Sequence, residues 1–171
     1  RKESSAASDV YKRQVHIYNN YFDGNAKYGV GTTKGSSAFV EANYYRNCKN
    51  PMMSSMQGTD ALGQGTFSGE NGGMIKAYNN ITVGASSLIY ANSDAGTAKA
   101  DAVSFDAYLA SSREETVPSS YKTVAGATTY NNFDTSSAYD LGVAEEDIDD
   151  PQDVPSIVTK YAGRMLSLIH I

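Results

Sequence analysis

The stretch Val15-His16-Ile17-Tyr18-Asn19-Asn20-Tyr21-Phe22 joins a strand-like run to an asparagine pair and then to two more aromatic residues. Related runs occur at Ala38-Phe39-Val40-Glu41-Ala42-Asn43-Tyr44-Tyr45, at Met74-Ile75-Lys76-Ala77-Tyr78-Asn79-Asn80 and at Thr128-Thr129-Tyr130-Asn131-Asn132. Asn20 and Asn43 are 23 residues apart, and two aromatics follow each of them. A period in the twenties with one strand pattern per repeat is typical of a solenoid.

Asparagine at a repeated position has a physical reason. Its short side chain tolerates left-handed backbone at a turn, and its amide can bond to the equivalent residue in the next coil. Val15, Ile17 and Val40, with Phe39 beside the last, supply apolar faces for neighbouring coils to bury together. The pattern therefore predicts an all-β chain folded as a parallel β-helix, while an antiparallel sandwich remains the alternative.

Two segments interrupt this repeat. Between Asn43 and Asn80 lies a Gly-rich excursion, Gln57 to Gly73, in which no helix pattern opens. After Asn132 an acidic cluster, Glu145 to Asp150, reads as solvated surface. The residues from Pro155 to Arg164 predict one short helix, with Ile157, Val158 and Tyr161 on its packing side.

Composition excludes several functions. The chain has 171 residues and a net charge of -5, so it offers no basic face for nucleic acid. No apolar run is long enough to span a membrane. The only cysteine, Cys48, cannot form an internal disulfide, and one cysteine with two histidines is short of a zinc site. We expect Cys48 and His16 to be buried structural residues.

The sequences at the two ends of the chain differ from the repeat pattern of the rest. Residues 1–14 contain no apolar signal-peptide region, and residues 4–14 and 166–171 resemble translated sequencing-adapter sequence. We therefore predict a non-native leader at 1–14, a native part at 15–165 and a non-native tail at 166–171. A genuine N-terminal tail and a genuine C-terminal strand are the alternative.

The segment Val15 to Phe22 resembles the vHxYNNYF motif of pectate lyases of polysaccharide lyase family 1. The resemblance continues through Gly29-Val30-Gly31-Thr32-Thr33-Lys34-Gly35, Ala38 to Tyr45, and Asn50-Pro51. Residues 15–165 look like the C-terminal half of such an enzyme.

This resemblance implies a right-handed parallel β-helix that cleaves polygalacturonate by β-elimination. In the family, calcium neutralises the uronate carboxylate and an arginine removes the neighbouring proton. The resemblance further implies a secreted or periplasmic protein, monomeric at full length, whose partner is pectin.

The family's catalytic arginine and calcium aspartates lie upstream of the position of His16. No residue of this chain matches them, so the catalytic and metal sites are predicted as absent and the chain as inactive alone. Many members of that family hold a substrate-binding arginine where Thr33 stands here, which makes the neighbouring Lys34 the candidate for substrate binding; a solvated turn lysine is the alternative. Arg46 and Lys49 are weaker candidates.

Two other functions stay open. A non-catalytic β-helix could bind carbohydrate or a cell surface through its Tyr-rich coils. A hydrolase would need paired carboxylates, and the available acids form no recognisable pair, namely Asp60, Glu70, Asp94 and Asp101.

Overall fold

The computed structural model describes residues 13–61, 68–92, 104–137 and 140–162. Most of its regular structure is strand: β1 (Gln14–Tyr18), β2 (Tyr21–Asp23), β3 (Tyr28–Thr32), β4 (Ser37–Glu41), β5 (Tyr44–Arg46), β6 (Asn50–Ser54), β7 (Met74–Tyr78), β8 (Ile81–Val83) and β9 (Tyr108–Leu109). Two short helices, α1 (Gly58–Ala61) and α2 (Val154–Tyr161), and two 3₁₀ turns, Phe133–Thr135 and Glu145–Asp147, complete it.

The strands form three parallel sheets. Sheet A has the order β1-β4-β7-β9, sheet B the order β2-β5-β8, and sheet C pairs β3 with β6. Every pairing between these strands is parallel, which excludes the antiparallel sandwich for the described strands. The chain visits A, B and C in turn and then returns to A one strand further along, so the fold is a solenoid-like stack of coils.

The register of sheet A agrees with the repeat in the sequence. Val15 pairs with Ala38, which pairs with Ile75, so the three runs ending at Asn20, Asn43 and Asn80 stack directly. The first step is 23 residues and the second is 37, because the excursion lies between β6 and β7. The predicted alignment of these three runs is confirmed.

An asparagine ladder runs along the turn between sheets A and B. The Nδ2 atom of Asn20 donates to Oδ1 of Asn43 at 2.9 Å, and Nδ2 of Asn43 donates to Oδ1 of Asn80 at 3.0 Å. The residue before each of them has left-handed backbone, with φ of 49° at Asn19, 51° at Ala42 and 50° at Asn79. The predicted hydrogen bonds between the repeated asparagines are confirmed, whereas the left-handed backbone predicted for them was wrong: it lies one residue earlier, on an alanine in the middle coil.

The fourth predicted run, Thr128 to Asn132, is not a coil of this stack. β7 pairs with β4 on one side and with β9 on the other, so this run does not join sheet A. The Asn132 side chain instead accepts from the N–H of Val117 at 2.7 Å and donates to its carbonyl at 3.1 Å. The reason is hydrophobic: Tyr130 and Phe133 are buried against the outer face of sheet A, which removes this segment from the coil. The prediction for this run was wrong.

Two hydrophobic clusters hold the molecule together. The inner cluster collects side chains from all three sheets, including Val30, Val40, Tyr45, Met52 and Ile75, with Cys48 buried as predicted. The outer cluster lies between sheet A and residues 110–136, which we call the covering segment. Its members are Phe39, Met74, Ala91, Phe105, Tyr108, Ala110, Val117, Tyr130 and Phe133.

The predicted C-terminal helix is present as α2. It begins at Val154 and contacts β2, while Arg164, where the prediction ended, lies outside the described residues. Val154 is its buried residue, and Tyr161 is 58% exposed, so the predicted packing side was partly wrong. The single-turn helix α1 was not predicted. No helix in the described ranges has the length and apolarity needed to cross a membrane.

Candidate functional site

Lys34 lies on the turn between β3 and β4. Its backbone is left-handed, with φ of 52°, and its N–H donates to the carbonyl of Asn71 at 2.7 Å. Gly35 follows with φ of 69°, a conformation that suits glycine. The end of the excursion, which includes Asn71, thus packs beside the turn and fixes the backbone that carries Lys34.

The side chain of Lys34 is accessible to a ligand. Its Nζ lies 3.5 Å from Oε1 of Glu70, and the two side chains are 50% and 57% exposed. An exposed pair of this kind contributes little to stability, about 0–1 kcal/mol. The neighbouring Thr33 hydroxyl lies 3.3 Å from that of Ser68. A carboxylate ligand could therefore replace Glu70 at the ammonium group with little loss of stability.

A buried charge cluster lies on the outer face of sheet A. Nε2 of His16 is 2.6 Å from Oε2 of Glu41, and the His16 ring stacks on Phe39. Nε of Arg113 lies 3.2 Å from the other Glu41 oxygen as an ion pair and not as an aligned hydrogen bond. Glu41 is 2% exposed. These contacts connect β1, β4 and the covering segment, which agrees with the structural role predicted for His16.

A second buried pair lies next to this cluster. Nζ of Lys76 is 2.7 Å from Oδ2 of Asp134 and also donates to the carbonyl of Arg113 at 2.6 Å. The hydroxyl of Tyr130 donates to Oδ1 of Asp134 at 2.7 Å, and burial together with this carboxylate raises the Tyr130 pKa well above its usual value. These side chains are not accessible to a ligand, so we assign them a structural role.

A positively charged edge follows sheet B. Arg46, at the end of β5, donates through Nε and an Nη atom to the carboxylate of Asp23 and lies over the Tyr21 ring. The Arg46 hydrogen bonds lower the pKa of Asp23 below its usual value. Lys27 and Lys49, both exposed, stand just before β3 and β6.

The described residues do not fit a calcium site. No three of their His, Cys, Asp or Glu side chains come close enough to share a metal ion. Glu70 pairs only with Lys34 among the described residues, whereas Asp94, Asp101 and the side chain of Asp60 lie outside them. We therefore derive no chemical step through calcium from this part of the chain.

The structure places the predicted site residues apart. Lys34 follows the last residues of β3, whereas Lys49 stands before the first residue of β6, at the opposite end of sheet C. Arg46 is the last residue of β5 in sheet B and is paired with Asp23. Lys27 was not singled out from the sequence. The available signal was its distance of 22 residues from Lys49, nearly the coil period, together with their positions before two paired strands.

Comparison of the chain with protein-family models, with curated proteins and with solved structures finds no match.

Proposed function

We propose that residues 15–165 are the C-terminal part of a right-handed parallel β-helix pectate lyase. The parent enzyme would cleave polygalacturonate by calcium-dependent β-elimination outside the cell or in the periplasm. One observation carries the proposal: the motif from Val15 to Phe22 occupies β1, the ladder turn and β2, and its Asn20 bonds to Asn43 as a repeated coil requires. The resemblance of this segment to the family supports the activity, and the parallel coils support the fold.

The electrostatics of the substrate fit this proposal. Polygalacturonate carries one carboxylate per sugar, and a chain of net charge -5 would repel it without cations at the contact surface. Lys34 supplies such a cation at the end of β3, on an exposed side chain with one exchangeable partner. Its assigned role is to hold a uronate carboxylate, while the catalytic arginine and the calcium ligands come from coils outside this chain.

Enzymatic assay of a longer protein tests the proposal. The coding sequence that precedes Val15 in the source DNA is read again and expressed together with residues 15–165. We expect calcium-dependent formation of unsaturated uronate products, detected by their ultraviolet absorbance, and no products from residues 15–165 alone. A longer protein that folds and binds calcium but releases no unsaturated product overturns the proposal.

A non-catalytic carbohydrate-binding β-helix is the second candidate. It is favoured by Tyr21 and Tyr44, which lie on neighbouring coils with ring centroids 5.9 Å apart beside the Asp23–Arg46 pair. Aromatic faces next to polar groups suit sugar rings. This candidate predicts that the longer protein binds polysaccharide and does not cleave it, so the same assay separates the two.

A further inference from the structure

We propose that Lys27, Lys49 and the concave surface at residues 85–89 form a binding track for an acidic polysaccharide, separate from Lys34. We call this surface the lysine track. The inference rests on the proposed function because it assigns a second contact surface for the same class of substrate. Its three components come from three successive coils and run along the axis of the stack.

The sheet register makes the two lysines neighbours. Tyr28 pairs with Asn50 at the start of sheet C, so the residues just before them, Lys27 and Lys49, enter this sheet at the same end on adjacent coils. Two hydrogen bonds fix this arrangement: Nδ2 of Asn50 donates to the Lys27 carbonyl at 2.7 Å, and the Lys49 N–H donates to the Asn25 carbonyl at 2.9 Å.

Like charges on adjacent coils repel unless an anion lies between them. Adjacent strands are about 4.8 Å apart, and cross-strand pairs of like charge are destabilising. Lys27 and Lys49 are both exposed, and neither forms an ion pair within the described ranges. An anionic ligand with repeated charges would relieve this repulsion, which favours binding of such a ligand at this surface.

The local charge is opposite to that of the whole chain. Residues 21–28, 44–50 and 81–90 contain three cations, Lys27, Arg46 and Lys49, and one acid, Asp23. Asp23 is held by Arg46, so the two lysines keep their charge for a ligand. These three segments therefore have a net charge of +2 in a chain of net charge -5.

The third coil extends the track without adding charge. The N–H groups of Ser86 and Ser87 donate to the carbonyl of Lys49 at 3.1 and 3.0 Å, which places this segment directly beyond the lysines. A concavity of about 460 Å³ lies there, lined by Ala85, Ser86, Ser87, Leu88 and Ile89. Small and hydroxyl side chains leave room for a sugar ring next to the carboxylates held by the lysines.

Lys34 does not belong to this track. All of β3 separates it from Lys27, and five residues of strand span roughly 17 Å. One sugar cannot reach both lysines, so the two contacts are tested independently. An acidic polysaccharide is favoured over a nucleic acid because the described part of the chain adds no wider basic face to the two lysines.

Affinity electrophoresis with polygalacturonate in the native gel tests the track. The Lys27→Gln, Lys49→Gln double variant removes two charges, and Lys122→Gln, Lys160→Gln removes two exposed lysines elsewhere as the matched control. We expect the apparent Kd of the first variant to rise by about fivefold or more, on the scale of two exposed charge contacts. The control stays within about twofold. Urea unfolding verifies that both variants are folded.

Three results would overturn the track: equal affinities of the two variants, an affinity that does not fall with salt, or equal binding of single-stranded DNA. Failure of the track leaves the proposed function standing, because cleavage by the longer protein is measured separately. Conversely, a functional track in a longer protein that does not cleave would overturn the lyase proposal and keep the track.

Discussion

The ammonium group of Lys76 lies 2.7 Å from the carboxylate of Asp134, and both side chains are 0% exposed. Lys76 belongs to the central strand β7, and Asp134 belongs to the covering segment. A buried pair loses its solvation on folding, so each charge depends on the other. This contact therefore fixes the covering segment to sheet A.

Asp134→Asn is expected to lower the free energy of unfolding by about 3–5 kcal/mol, because it leaves the Lys76 ammonium buried without its counter-charge. Urea unfolding measures the loss. Glu146→Gln, at an exposed position in the acidic cluster, is the control and should change stability by less than about 0.5 kcal/mol. A loss below 1 kcal/mol in Asp134→Asn would contradict the anchoring role.

Asn43→Ala is expected to destabilise the stack by about 2–4 kcal/mol. Asn43 is 0% exposed, accepts from the backbone and side-chain amides of Asn20, and donates to Ile17, Glu41 and Asn80. Its removal leaves several buried groups unpaired. Asn20→Ala, at the exposed end of the ladder, should cost clearly less. Equal losses measured by urea unfolding would rule out the ladder as the cause.

Tyr45→Phe is expected to leave stability unchanged or to raise it by up to about 1 kcal/mol. Tyr45 is 1% exposed, its hydroxyl has no hydrogen-bond partner among the described residues, and burial raises its pKa well above the usual value. Tyr130→Phe is the comparison, since its hydroxyl donates to Asp134, and it should lose about 1–2 kcal/mol. Thermal unfolding of both variants measures the two changes in stability. A larger loss of stability in Tyr45→Phe than in Tyr130→Phe would contradict the prediction.

Alkaline pH should destabilise the fold through its buried tyrosines. Burial, aided by the charge of Asp106, raises the pKa of Tyr90 from 10.0 to about 12. A raised folded-state pKa means that the stabilisation is complete below pH 10 and is lost as pH rises towards about 12. We expect the urea midpoint to fall over this window, and to fall less steeply in Tyr90→Phe. Identical slopes would contradict the assignment to Tyr90.

In a full-length parent, Lys34→Ala is expected to raise KM for polygalacturonate by about three- to tenfold with little change in kcat. This is the size of one charge-assisted contact made equally in the ground and transition states. Steady-state kinetics give both constants, and Lys160→Ala serves as the control at an exposed site on α2. An unchanged KM would remove Lys34 from the substrate site.

The coil repeat was predictable because its signals are local. In the first two runs the strand pattern, its turn asparagine and the following aromatics lie within eight residues, and the 23-residue step of Asn20 to Asn43 became the register of β1 and β4. The same local signal gave a wrong prediction of a further coil at Asn132, because Tyr130 and Phe133 pack in the outer cluster. A short pattern does not specify which of two apolar surfaces will bury it.

The candidate site was predictable only in part. Lys34 was identified as the neighbour of Thr33, which stands where many members of the similar family hold an arginine, and the structure shows its side chain to be exposed. Lys27 was not, because its significance depends on Lys49 standing at the same end of sheet C on the adjacent coil. The pairing of Arg46 with Asp23 likewise joins two coils, and it makes Arg46 the least available of the three cations on this edge.

Residue type and short-range spacing were enough to predict the strand and turn pattern, the position of the ladder and the acidic balance of the chain. The long-range contacts could be learned from the folded molecule alone: residues 110–136 cover sheet A, Lys76 meets Asp134, and Lys27 and Lys49 stand at the same end of sheet C. Such contacts join residues far apart in the chain and leave no periodic trace. They are selected by which apolar faces can be buried together and by which buried charges can find a partner.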